Sequence, residues 1–211
     1  MKALILGGAP IEDYGFCQDY LPVDYVVCCD NGMTHAKALG LKPDVIVGDF
    51  DSVPQEVLES FLAQQIPIRQ FSPQKDETDM ELGLDAALEA GATELVLFGG
   101  IGRRLDHTIA NCHYLEYLLH RGVAAKLVDS HNVVQLTGSE LHLTGETGRL
   151  VSTLPLTKQV TGITTTGLAY PLTDGTLTRD GRLIAVSNVM LGQEAEIRVK
   201  SGLLLVIQSR D

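Results

Sequence analysis

Short apolar runs that stop at a glycine or an aspartate recur through the first half of the chain, with helical spacing between them. "ALIL" runs into Gly7-Gly8, "YVVCC" into Asp30-Asn31-Gly32, "DVIVG" into Asp49, and "ELVLF" into Gly99-Gly100. "IPIRQF" leads to a polar loop, and "AAKLVD" closes the series. Runs of this length and composition read as buried strands. The intervening segments carry helix signals. Pro54 suits a first helical turn ahead of "EVLESFLAQQ". Thr78 and Glu81 form a capping-box pair opening a helix that ends near Gly91. "DHTIANCHYLEYLLHRG" has helical periodicity and again stops at a glycine. Strands alternating with helices predict a mainly parallel, Rossmann-like α/β sheet, whose ligands bind beyond the carboxyl ends of the strands.

From about Ser130 the rhythm changes. "NVVQLT", "ELHLT", "RLVSTLPL", "VTGITTTGL" and "LLLVIQS" are short, rich in Val, Ile, Leu and Thr, and divided by Gly, Asp or Ser turns. That pattern predicts an all-β sandwich or barrel. The expected domains are therefore 1–130, α/β, and 131–211, all-β.

Bulk properties narrow the function. A net charge of −11 argues against a nucleic-acid partner, which needs a basic footprint. The four cysteines, Cys17, Cys28, Cys29 and Cys112, show no C-x-x-C spacing, so neither zinc nor a disulfide framework is expected. The first apolar run is too short for a signal peptide, and no stretch approaches a membrane span. A reduced, cytoplasmic protein without a membrane partner is expected.

Polar residues concentrate at the strand ends. Asp49 and Asp51, two apart on an extended backbone, would face one ion, although an acidic turn accounts for them as well. In "KDETDME", Asp79 falls in the first turn of a helix, where the dipole favours it without any function. In "GGIGRRLDHTIAN", glycines allow backbone amides close to a ligand, and Arg103 and Arg104 offer planar donors to phosphate oxygens. Asp106 reads equally as an N-cap, and His107 as a surface histidine. Taken together, carboxylates, arginines and glycine loops suit a magnesium-bound polyphosphate. The sequence lacks G-x-x-x-x-G-K-[ST] and G-x-G-x-x-G spacings at these ends, which excludes a P-loop site.

"GDFDS", "KDETDME" and "GRRLDHTIAN", in this order and spacing, resemble the motif set of thiamine pyrophosphokinases. The later "GLAYPL" and "VSN" resemble that family's C-terminal landmarks, so the similarity spans essentially the whole chain. The resemblance implies transfer of pyrophosphate from ATP to the hydroxyl of thiamine, giving thiamine diphosphate and AMP. It implies a nucleotide-binding catalytic domain, a thiamine-binding and dimerisation domain in the form of a β-sandwich, and a homodimer. By matching position, Asp49, Asp51 and Asp79 would hold Mg2+. Lys75, Arg104, Asp106 and His107 would serve the nucleotide, with Asp106 also on the substrate side. Tyr170, Ser187 and Asn188 would line the thiamine site, Tyr170 offering an aromatic face to a cation. The proton of the attacking hydroxyl would go to Asp76 or Asp106. Two positions depart from the family's pattern: Arg103 stands where a second glycine is usual, and Asn31 occupies the middle of an Asp-Gly-Gly-type turn. A metal-dependent phosphoesterase or a non-catalytic nucleotide or thiamine sensor are the alternative readings.

Overall fold

The computed structural model describes every residue except 52, 73, 75, 182–184 and 211. Contacts divide it into two compact units, Met1–Ser130 and His131–Asp211.

The first unit is built on strands β1 (Lys2–Leu6), β2 (Tyr25–Cys29), β3 (Val45–Gly48), β4 (Ile68–Gln70), β5 (Glu94–Phe98) and β6 (Ala124–Val128). They pair in the order β6-β5-β1-β2-β3-β4, all parallel. Four consecutive residues of β1, from Ala3 to Leu6, are fully buried. Because alternate side chains leave opposite faces of a strand, both faces of this sheet are covered. The covering helices are α1 (Gly32–Leu39), α2 (Gln55–Leu62), α3 (Asp79–Glu89) and α4 (Leu105–Leu119), with a short 3₁₀ turn at Gly15–Tyr20.

Helix limits follow local chemistry. The Thr78 hydroxyl accepts the Glu81 N–H at 3.2 Å and opens α3, as the capping pair predicts. Gly40, in the left-handed conformation at φ 64°, closes α1. Pro54 precedes α2 rather than opening it, because its ψ of 131° is extended. Asp106 is the second residue of α4, not its cap; the cap position is Arg104, which makes no side-chain capping bond.

The second unit holds β7 (Asn132–Thr137), β8 (Glu140–Thr144), β9 (Leu150–Pro155), β10 (Gln159–Thr166), β11 (Gly175–Thr178), β12 (Ala185–Val189), β13 (Glu194–Arg198) and β14 (Leu204–Ser209). Two antiparallel layers, β12-β9-β14-β7 and β11-β10-β13-β8, form a sandwich. Val151, Leu204 and Val206 from one layer share a buried core with Leu143, Val160, Ile163 and Ile197 from the other. A bulge between Ala185 and Asn188 breaks the β12–β9 register, and Ser187 sits there at φ 58°. Among the described residues no helix is long and apolar enough to cross a membrane.

Phe98 ends β5 fully buried, with the rings of Phe16 and Tyr20 edge-on at 5.1 and 5.7 Å. Phe98→Ala should cost ~3–5 kcal/mol of stability, read as a lowered urea midpoint. An unchanged midpoint would mean that this aromatic group does not hold the first unit together.

Candidate active site

The strand order of the first unit reverses at β1: β2, β3 and β4 are added on one side, β5 and β6 on the other. Loops leaving β1 and β5 therefore diverge, which opens a crevice at the carboxyl ends of these two strands. The backbones at its floor nearly touch. Gly7 N–H donates to Phe98 O at 2.8 Å, and Ala9 N–H to Gly99 O at 2.9 Å. A Cβ on Gly99, whose φ is 63°, would lie 2.3 Å from Gly7 O, so only glycine serves there. A cavity of about 500 Å³ rises from this floor. Its walls come from the β1 loop, Asp30 after β2, the start of α3 at Thr78 and Asp79, the β5 loop, and the start of α4.

Three carboxylates meet at the ends of β2 and β3. The register Cys29↔Val47 sets Asp30 beside Gly48 and Asp49. Asp30, only 9% exposed, accepts the Phe50 N–H on Oδ1 at 3.0 Å. Asp49 Oδ1 accepts the Asp51 N–H at 3.1 Å. Ligand oxygens of Asp30, Asp49 and Asp51 all lie within 4.8 Å of one another. The charge of Asp49 foremost, then partial desolvation and a hydrogen bond from Asp49, with smaller effects from Asp30 and Asp79, pushes the Asp51 carboxyl above its ordinary range. Asp49 and Asp51 do not converge along an extended strand: β3 stops at Gly48, and Phe50 at φ 66° turns the chain between them. Asp79, the first residue of α3, walls the cavity and contributes to the field at Asp51, but stands beside the group of three. A compact all-oxygen donor set of this kind fits a hard divalent cation such as Mg2+.

The start of α4 brings Arg103, Arg104 and His107 to the cavity wall. Arg104 grips Asp106 through two bonds, Nε to Oδ1 at 3.2 Å and Nη2 to Oδ2 at 2.5 Å. The Arg104 hydrogen bonds pull the Asp106 carboxyl down to about 2, and Asp106 in turn raises Arg104. Asp76 is exposed ahead of α3 and outside that wall. Lys75 lies outside the described residues.

Side chains remote in sequence hold these walls. Buried Asn111 donates to Gly100 O at 2.7 Å, and Thr108 Oγ1 accepts Gly102 N–H at 3.2 Å. The Tyr114 hydroxyl on α4 meets Thr78 Oγ1 and donates to Glu81 Oε2, both at 3.1 Å, tying the start of α3 to α4. His35 of α1, 4% exposed, bonds through Nε2 to Ala9 O at 2.9 Å and through Nδ1 to the Tyr14 hydroxyl at 2.7 Å. Since a carbonyl only accepts, Nε2 carries the proton and Tyr14 O–H donates to Nδ1.

In the second unit, Tyr170 and Asn188 come together across 18 residues. Asn188 Oδ1 accepts Tyr170 N–H at 3.0 Å, and its Nδ2 donates to Tyr170 O at 2.7 Å. Both line a cavity of about 260 Å³ whose other walls include Val151, Leu168, Leu172 and Val186. Tyr170 as a residue is 73% exposed. Ser187, between them on the bulge, donates its N–H to Ser152 Oγ at 3.0 Å and is not part of that wall.

The sequence reading passed over Asp30, Asn111 and Tyr114. For Asp30 a signal existed: "YVVCCD" and "DVIVGD" are neighbouring strands that both end in an aspartate, and the register Cys29↔Val47 puts Asp30 level with Gly48, one residue before Asp49.

Two family models match the chain: the thiamin pyrophosphokinase catalytic domain over residues 20–127, and the thiamin pyrophosphokinase vitamin B1 binding domain over 138–204. The thiamine pyrophosphokinase of Bacillus subtilis is 28% identical over 184 residues, 86% of each chain. Thiamine pyrophosphokinase 1 of Oryza sativa subsp. japonica is 29% identical over 180 residues, 81% of this chain and 67% of that protein. The crystal structure of the Bacillus subtilis protein superposes with a TM-score of 0.90 at 27% identity over the whole of both chains. That of the Geobacillus thermodenitrificans thiamin pyrophosphokinase superposes at 0.86 and 30% identity, covering all of this chain and 98% of the other.

Two outcomes follow from the geometry. Burial lowers the His35 pKa below its ordinary 6.5, against the opposing bond to Ala9. The folded state then holds fewer protons than the unfolded, so stability is complete above about pH 6.5 and falls as pH drops. His35→Gln should flatten the decline of thermal midpoint between pH 7 and 5; parallel declines would refute the neutral assignment. Asp30→Asn keeps an oxygen for Phe50 N–H but removes one charge. Millimolar Mg2+ should raise the wild-type thermal midpoint and leave the variant almost unmoved, whereas equal shifts would place the cation elsewhere.

Proposed function

The chain belongs to the thiamine pyrophosphokinase family, and from that premise we propose how its two units divide the reaction. The activity is an ATP-dependent diphosphotransfer: the hydroxyl of thiamine attacks the β-phosphorus of ATP, the bond from that phosphorus to the α-phosphate bridging oxygen breaks, and AMP leaves. The convergence of three carboxylates beside a glycine-floored cavity at the β1/β5 reversal carries the assignment of the catalytic cleft to the first unit.

In this reading, residues 1–130 bind the nucleotide. Asp30, Asp49 and Asp51, with Asp79 adjoining, hold Mg2+, which when bound neutralises polyphosphate charge. Arg104 and the uncapped start of α4 face phosphate oxygens across the cavity, and His107 lies beside them. Lys75 is assigned to the nucleotide by its place in the motif. Asp106, already drawn to about 2 by Arg104, is a weak base. Its assigned part is to orient the guanidinium; Asp76 is assigned the hydroxyl proton by its place in the motif alone, since it lies exposed and outside the cavity wall. No covalent intermediate is needed, because phosphoryl transfer is governed by positioning and charge stabilisation.

Residues 131–211 are assigned to thiamine and to dimerisation. The Tyr170 ring face suits a cationic heterocycle, Asn188 fixes the backbone that carries it, and Ser187 borders the same bulge. Exposed Tyr170, Val186 and Leu191 give this unit an apolar surface consistent with a homodimer. The free cysteines are consistent with a cytoplasmic protein. A phosphoesterase would favour histidine among the metal ligands, and the carboxylate group contains none.

Incubation with thiamine, ATP and Mg2+ should yield AMP and thiamine diphosphate in equal amounts, and only when thiamine is present. Phosphorus NMR with nucleotide chromatography reads both. ADP with thiamine monophosphate, or phosphate release without thiamine, would overturn the reading.

A further inference from the structure

We propose that Arg103 binds the phosphate chain of ATP, a part distinct from that of its neighbour Arg104. The proposal rests on the diphosphotransferase reading above. Both arginines wall the main cavity, yet their states differ. Arg104 is engaged twice by Asp106, so a phosphate must compete with a carboxylate for its donors. Arg103 is exposed and has no hydrogen-bond or ion-pair partner among the described residues. Its planar guanidinium, with five N–H donors, can take two phosphate oxygens without giving up an existing bond.

The local backbone permits the arginine. The φ of Arg103 is not positive, so this position carries a side chain without strain, unlike Gly99. The neighbouring Gly102 meets the steric demand of the loop instead, since a Cβ there would come 2.7 Å from the Ala9 Cβ. The side chain thus extends from a strain-free point on the rim of the cavity. The surroundings give it a purpose. Asp30 and Asp79 wall the same cavity, and Asp106 offsets Arg104. Arg103 is the cation among the described wall residues that no carboxylate pairs, and it favours a polyanion entering an otherwise acidic cleft.

The test compares wild type, Arg103→Ala and Arg103→Lys. Calorimetric titration uses a non-hydrolysable ATP analogue and, separately, adenosine, each with Mg2+. Arg103→Ala should bind the analogue about tenfold more weakly or worse, through loss of the charge-assisted contacts to phosphate, with adenosine affinity unchanged. Arg103→Lys should retain part of the difference, since it keeps charge but loses the fork. In turnover, the KM for ATP should rise and that for thiamine should not. Equal analogue affinity in wild type and Arg103→Ala, or an equal loss for adenosine, overturns the proposal. Wild-type turnover separates the two readings: product formation with no Arg103 effect removes this proposal alone, while a wild type that neither binds the analogue nor makes product removes both.

Discussion

Strand β1 is paired on both edges, to β2 and to β5, and buried on both faces, and the geometry of the first unit depends on it. Its main chain has no spare hydrogen-bonding edge, so the loop beyond it must leave the sheet. The same holds for β5, and the two loops depart from a floor where their backbones nearly touch. A glycine at each contact is a steric requirement there. The crevice is thus a product of topology, created by the reversal of strand order and independent of any particular ligand.

Topology supplies the space, while electrostatics gives it a direction. One side gathers carboxylates whose mutual repulsion raises Asp51; the other presents arginines at the start of α4. The acidic side is held by backbone geometry. Phe50 adopts a left-handed conformation, and its N–H is received by Asp30, so the turn that brings Asp49 and Asp51 together is fastened by the third carboxylate. Removing the side chain of Asp30 would therefore loosen the turn as well as lower the charge. A charge-only substitution separates these two contributions.

Much of the architecture was readable because it follows from periodicity. Alternating apolar runs and capped helices specify a parallel sheet, and the Thr78–Glu81 spacing located the start of α3. What was not readable depends on register and on contacts between distant residues. Asp30 looks like a turn residue until β2 is aligned with β3. Tyr114 looks like one more aromatic on a helix until its hydroxyl is found at the cap of another, 36 residues away. His35 lies 26 residues from the carbonyl it holds. For Asp49 and Asp51 the sequence pattern suggests extended-strand alternation, which the turn at Phe50 replaces. No local pattern encodes such bonds, since each is decided by where the chain returns.

The second unit applies a different economy. Asn188 has used its carbonyl oxygen on the N–H groups of Tyr170 and Val189, and one of its amide hydrogens on Tyr170 O. Its role is thereby mainly conformational: it locks the backbone at Tyr170 and leaves the ring in the open above an apolar cavity. Recognition at this cavity then falls to shape and to the negative face of an aromatic ring rather than to a network of side-chain amides. Such a surface would suit a flat, positively charged ligand without demanding a particular pattern of donors. The first unit, by contrast, holds its carboxylates with backbone bonds, at Phe50 and Asp51. In the proposed division of the reaction, each unit would prepare one substrate by the interaction suited to its charge.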